Sequence, residues 1–192
     1  MMKTILLLST LLSSVIISAQ PLSQLQKIVA ADRSENDEFG NAVAISGDYA
    51  IVGAMREDEN ALGTDTEADA GSAYIFERSG ASWAQVAKIV ASDRDANDFF
   101  GHDVDIHGDF CIVGAHQEGV PANSGAAYVF MRESDGDWVQ VNKLEAPIRK
   151  ANDYFGFSVA ISETYAVVGA YYEDEDALEE NENKKGIRSF EF

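Results

Sequence analysis

Behind an apolar stretch at the N-terminus, the hydrophobic residues of this chain come in short bursts separated by glycine, Asn and Asp. Ile51-Val52-Gly53-Ala54 returns as Ile112-Val113-Gly114-Ala115 and as Val167-Val168-Gly169-Ala170. Bursts this short are strand-length, and no sustained helical periodicity follows the first nineteen residues. Val43 and Ile45 alternate with the small Ala42 and Ala44, the period of two expected of a strand. Residues 51–54 and 73–76 are apolar at nearly every position, as strands covered on both faces are. Residues 83–90 differ, because Gln85 and Lys88 interrupt them and the later copy carries Gln140, Asn142, Lys143 and Glu145. That polarity predicts an outer strand, where charge discourages pairing with another sheet edge.

The bursts belong to a repeat. Asn36-Asp37-Glu38-Phe39-Gly40 recurs as Asn97-Asp98-Phe99-Phe100-Gly101 and Asn152-Asp153-Tyr154-Phe155-Gly156. Gly71-Ser72-Ala73-Tyr74-Ile75-Phe76 is echoed by Gly125-Ala126-Ala127-Tyr128-Val129-Phe130. Trp83-Ala84-Gln85-Val86 reappears as Trp138-Val139-Gln140-Val141, with Leu22-Ser23-Gln24-Leu25 as its earliest copy. Counted from Leu22, the units are 22–82, 83–137 and 138–192. Each reads as four short strands with both faces covered. Stacked units of that kind are β-propeller blades, so the expected fold is all-β, with three four-stranded blades.

These residues carry a family resemblance. Phe39-Gly40 followed by Val52-Gly53-Ala54, then Phe100-Gly101 with Gly114-Ala115 and Phe155-Gly156 with Gly169-Ala170, resembles the FG-GAP repeat of integrin α chains. The sequence is closer still to bacterial secreted FG-GAP proteins, whose repeats also have a Trp-bearing and a Tyr-aromatic strand. The resemblance implies that the Phe-Gly strand is innermost and the Trp strand outermost, with residues 22–30 an outer strand. Two departures stand out. No Pro follows Gly53-Ala54 in any copy, the residues there being Met55, His116 and Tyr171, and the last strand, near Gly186-Ile187-Arg188-Ser189-Phe190, lacks Tyr-x-Phe. Closed propellers use 4–8 blades, whereas the repeat count here is three. Either two copies self-associate into a six-bladed ring or the chain is a remnant of a longer propeller.

The N-terminus bears on the compartment. Lys3, the apolar run from Ile5 to Ile17 and Ile17-Ser18-Ala19 read as a secretory signal peptide over residues 1–19. The run falls short of the roughly 20 apolar residues of a membrane span, although a retained anchor is the alternative. Removing nineteen of 192 residues leaves 173 and, with Lys3 gone, shifts the net charge from −19 to −20. Such acidity disfavours nucleic acid and anionic membrane as partners. The single cysteine, Cys111, permits no intrachain disulfide and sits where the other units have Ala50 and Ala166, so it reads as a small buried side chain.

Candidate chemistry is sparse. In the resembling family, calcium is held by an Asp-x-Asp-x-Asp-Gly loop between the Phe-Gly and Gly-Ala strands. The links here, Ser46-Gly47-Asp48, His107-Gly108-Asp109 and Ser162-Glu163-Thr164, hold one carboxylate each, against the six to eight oxygens Ca²⁺ prefers. Acids concentrate instead after Gly-Ala: Glu57, Asp58, Glu59, Asp65, Glu67 and Asp69 in one loop, Glu173 to Glu182 in another. They form either a cation-capturing rim or a solvated one. Asp93, Asp95, Asn97 and Asp98 cluster too, but Asn-Asp before a strand is explained by turn chemistry. Asp103, Asp105 and His107 would share one face of a strand, an arrangement that could take a transition metal. No nucleophile elbow, metalloprotease helix or phosphate loop occurs. No cofactor is expected, and the expected activity is non-enzymatic binding or scaffolding of a protein or glycan, with a hydrolase or lyase of extracellular polymers as the alternative.

Overall fold

The computed structural model describes residues 23–64, 66–173 and 186–191. The described residues form eleven strands and no helix. The first sheet orders β1 (Val43–Ser46), β2 (Tyr49–Ala54), β3 (Ser72–Ser79) and β4 (Ser82–Ile89) as a simple antiparallel meander. The second repeats it with β5 (Phe100–His107), β6 (Phe110–Ala115), β7 (Ala126–Arg132) and β8 (Trp138–Leu144). The third holds β9 (Phe155–Ile161), β10 (Tyr165–Ala170) and β11 (Gly186–Glu191). Two four-stranded blades and one three-stranded blade make an unclosed stretch of propeller.

Local chemistry explains each corner. Gly47 and Gly108, at φ of 59° and 58°, open two-residue hairpins of the Gly-X kind that joins twisted strands without splaying them. Asn36, Asn97 and Asn152 all lie at positive φ, which Asn tolerates better than most residues. The Asp that follows each one is buried and turns its carboxylate back on its own loop. Asp37 accepts from the Ser34 amide, Asp98 from Asp95 at 2.7 Å, and Asp153 from Lys150 at 2.8 Å. The Asn-Asp pairs are therefore turn-formers, as the sequence implied.

Blades stack face to face. Ala42, Ala44, Ile51, Ala73 and Ile75 of the first press on Val104, Ile106, Cys111, Val113 and Phe130 of the second. Ile112, Ala127 and Val129 on the far face of the second blade meet Phe155, Ile161, Ala166 and Val168 of the third. Approach is closest at the Gly-Ala glycine: a Cβ on Gly53 would sit against the Gly101 carbonyl, and one on Gly114 against the Gly156 carbonyl. Gly71 pairs in parallel with Phe100, and Gly125 with Phe155, so that one backbone bridge links each blade to the next.

Two sequence expectations change. Residues 23–30 join no ladder; they lie extended along the first blade, Ala30 buried among Val52, Ala54, Tyr74 and Phe76. Gln26 and Trp83 exchange hydrogen bonds of 3.0 and 2.8 Å, and Ala31 donates to Gln85 Oε1 at 2.9 Å. The stretch packs on the first blade as Ala91 and Ala146, just past β4 and β8, pack on the next ones, without a sheet of its own to join. The last strand also keeps more of the pattern than its sequence suggests. Pairing with β10 sets Phe190 where Phe76 and Phe130 stand, and Arg188 in place of Tyr74 and Tyr128. Residues 1–19, Asp65 and the acids of 174–182 lie outside the described residues.

Candidate functional site

The signature residues prove to be scaffold. Phe39, Phe100 and Phe155 each turn an edge or face to the third strand of their own blade. Phe39 is 5.5 Å from Tyr74 and 6.2 Å from Phe76, Phe100 is 5.5 Å from Tyr128 and 6.0 Å from Phe130, and Phe155 is 6.1 Å from Phe190. Gly40, Gly101 and Gly156 follow at φ of 86–94°, a region open to glycine. Ala54, Ala115 and Ala170 end the second strands fully buried.

What these elements position is a patch of rings. The start of each Phe-Gly strand and the end of each Gly-Ala strand lie side by side, so residues 38, 41, 55 and 56 of the first unit have counterparts 99, 102, 116 and 117, then 154, 157, 171 and 172. The first set is Glu38, Asn41, Met55 and Arg56; the other two supply Phe99, His102, His116, Tyr154, Phe157, Tyr171 and Tyr172. The rings touch in a continuous series. His102 lies 4.1 Å from His116 and 4.6 Å from Phe157, Phe157 stacks on Tyr171 at 4.6 Å, and Tyr171 meets Tyr172 at 4.5 Å. Tyr154 bridges His116 and Tyr172, and Phe99 stacks on His116 with the Arg56 guanidinium 5.3 Å from its ring.

The patch grades from buried to open. His116 is buried, its Nδ1 without a hydrogen-bond partner among the described residues, and Tyr172 is 62% exposed. Burial, with the neighbouring His102, pushes His116 down to about 4, and burial lowers His102 as well. Both imidazoles are neutral at neutral pH, so the surface is aromatic and weakly polar within an acidic protein.

The profile of the FG-GAP repeat matches residues 22–76, 83–130 and 138–186, most of the chain. The chain is an FG-GAP repeat protein. A search of curated proteins returns no match. No helix among the described residues is long and apolar enough to cross a membrane.

In this FG-GAP chain the carboxylates are largely engaged by their own blades. Asp48 and Asp109, at the family's calcium-loop position, are ion-paired with Arg78 and Arg132 from the ends of the third strands. Asp103 and Asp105 do lie on one face, but each accepts a backbone N–H of β9, from Val159 and Ile161 at 2.8 Å. They latch the third blade to the second, while exposed His107 takes no part. No cluster of three or more metal-capable side chains occurs among the described residues. Cys111 is fully buried at the junction of the first two blades, and burial pushes its thiol up.

Glu57, Glu118 and Glu173 form a feature the repeat signature did not reveal: besides the Asp of each Asn-Asp turn, a second buried carboxylate stands at equivalent positions in the three blades. Glu57 accepts from Tyr74 Oη at 2.8 Å and lies 3.3 Å from Lys88 Nζ. Glu118 receives Lys143 at 2.7 Å and Arg149 at 2.9 Å. Burial opposes the Lys143 charge, but the hydrogen bonds it donates to Asp93 and Glu118 outweigh it and hold the ammonium above its usual range. Both lysines come from fourth strands, whereas the third blade has three strands among the described residues. There Arg188, standing in the tyrosine's place on β11, pairs with Glu173 instead.

One carboxyl is set apart by its surroundings. Asp98 borders a cleft of about 260 Å³ with Asp93, Asp95 and Glu118, and burial, reinforced by those charges, raises it to about 7. Asp37, its counterpart in the first blade, is raised for the same reason of burial, beside Glu57 and Asp58. In the acidic loop of the first blade, Asp58 accepts from the Asp69 amide and Asp69 pairs with Arg56. A residue-by-residue comparison of the units at positions 38, 41, 55 and 56 was the signal that could have exposed the ring patch beforehand.

Proposed function

We propose that this protein is an exported, non-enzymatic binding module whose contact surface is the ring patch spanning its second and third blades, and whose ligand is an extracellular glycan. The observation that carries the reading is the graded series Phe99–His116–His102–Phe157–Tyr171–Tyr172. Aromatic faces present negative quadrupoles that suit the C–H faces of sugar rings, and few polar groups then suffice for orientation. The neutral imidazoles and the acidic surroundings favour a neutral saccharide over an anionic one. The repeat scaffold holds the rings on strand ends rather than on long loops, which limits the ordering cost of binding. The test is a panel of immobilised neutral oligosaccharides probed with mature protein. Tyr172→Ala and Phe157→Ala should each weaken a captured glycan at least tenfold, about 1.4 kcal/mol. Capture of a protein ligand alone, or glycan binding indifferent to both changes, contradicts the reading.

A hydrolase or lyase reading draws on Asp98, since a carboxyl titrating near 7 is suited to proton transfer. The same Asp sits in every unit with its carboxylate on its own turn, which supports a structural role. Release of new chain ends from a neutral polysaccharide, abolished by Asp98→Asn, would favour the enzyme.

A further inference from the structure

The two internal junctions show what each blade face is built to meet. Val104 and Ile106 of β5 are 5% and 3% exposed because they press on the first blade, and Ile161 of β9 is 8% exposed against the second. Their counterparts on β1, Val43 and Ile45, are 69% and 66% exposed. The far face of the third blade mirrors this. Ile51 and Ile112, fully buried against the following blade, correspond to Val167 at 38%, and buried Ala73 and Ala127 correspond to Ile187 at 74%. Beside Val167, Gly169 lines a cavity of about 170 Å³ with Phe157, Tyr171 and Ile187. In the internal junctions the same glycine, Gly53 or Gly114, lies against the carbonyl of Gly101 or Gly156. Gly40, the counterpart of those two, has nothing within 4 Å of where its Cβ would stand.

We propose that a second copy of this chain covers both faces, head to tail. The Gly40 carbonyl of one copy enters the Gly169 cavity of the other, and Val43 and Ile45 pack on Val167 and Ile187. A second copy is the occupant because each exposed position is the counterpart of one whose partner, another blade of this chain, is already seen. Two copies supply six blades, inside the range of four to eight in closed propellers, whereas three copies would exceed it. Head-to-tail contact that closes after two steps gives a discrete dimer, not a growing fibre. The third unit's counterpart of Gly71 and Gly125 falls among residues 174–185, outside the described residues, so the docking rests on Gly169, Val167 and Ile187.

Sedimentation velocity of the mature protein at micromolar concentrations reads this directly, with one species of twice the chain mass expected. Ile45→Asp and Val167→Asp should each sediment as a monomer with the parent's far-ultraviolet circular dichroism, since both side chains are exposed in the single chain. Mixing the two variants should restore pairs, because one keeps an intact trailing face and the other an intact leading face. A monomeric parent overturns the proposal. So does a dimer indifferent to both substitutions, or a dimer whose mixed variants stay apart.

Discussion

Gly114→Ala probes the junction between the second and third blades. A Cβ there would stand 3.0 Å from the carbonyl carbon of Gly156 and closer still to its oxygen, and both are backbone atoms of a paired strand. No rotamer change relieves that contact, so the sheets must separate. A gap of about 0.5–1 Å forfeits a quarter to a half of the dispersion attraction across the opened surfaces. Those surfaces carry Ile112, Ala127, Val129, Phe155 and Val168. The expected loss is at least ~3 kcal/mol, the upper part of the range for overpacked cores. Gly169→Ala is the control, since its Cβ would meet chiefly the Ser158 hydroxyl, which can rotate away. Its cost should stay under ~1 kcal/mol. Urea unfolding, followed by tryptophan fluorescence in an Ile45→Asp background that holds the chain monomeric, gives both values. Equal losses for the two alanines, or a loss under ~1 kcal/mol for Gly114→Ala, would refute the interlocked junction.

Arg188→Met should destabilise the monomer by about 3 kcal/mol in the same assay, because it removes the guanidinium paired with the buried Glu173 carboxylate. Asp98→Asn should change the pH dependence of stability. Asp98 has a folded pKa near 7 against 3.8 unfolded, so its contribution is fully present below 3.8 and fades as pH rises through 7. Thermal melts should therefore show the variant gaining on the parent between pH 4 and 8 by about 2 kcal/mol, after allowance for solvent in the cleft; a constant difference would contradict the assignment. Millimolar Ca²⁺ should leave the melting temperature unchanged, since Asp48 and Asp109 are held by arginines; a rise would expose a site elsewhere.

Much of the fold was legible because a repeat shows its own equivalences. Phe39, Phe100 and Phe155 marked the start of the first strand of each blade, and alternation at Val43 and Ile45 marked the earliest of them. The stretch 22–30 misled because its resemblance to Trp83-Ala84-Gln85-Val86 reports side-chain packing on the neighbouring blade, while strand pairing depends on a partner that no local pattern encodes. Arg188 was hidden for a related reason: its role depends on the register that sets it in the tyrosine's place and on a Glu173 fifteen residues away. Asp103 and Asp105 shared a face as the alternation required. Their destination, the amides of β9, is fixed by the stacking of blades rather than by the strand's own sequence. The ring patch escaped because its members come singly from four separate positions in two units, and only the antiparallel register gathers them.

The chain has three histidines, His102, His107 and His116. Two lie in the ring patch, while His107 sits five residues further along β5 from His102, ~16 Å away at about 3.3 Å per residue. Their ring protons are therefore separate reporters of where a ligand lands. Proton NMR of the protein, titrated with a glycan captured from the panel, should move the His102 and His116 signals together and leave His107 in place. Saturable binding that moves only His107, or none of the three, would contradict the patch as the binding surface.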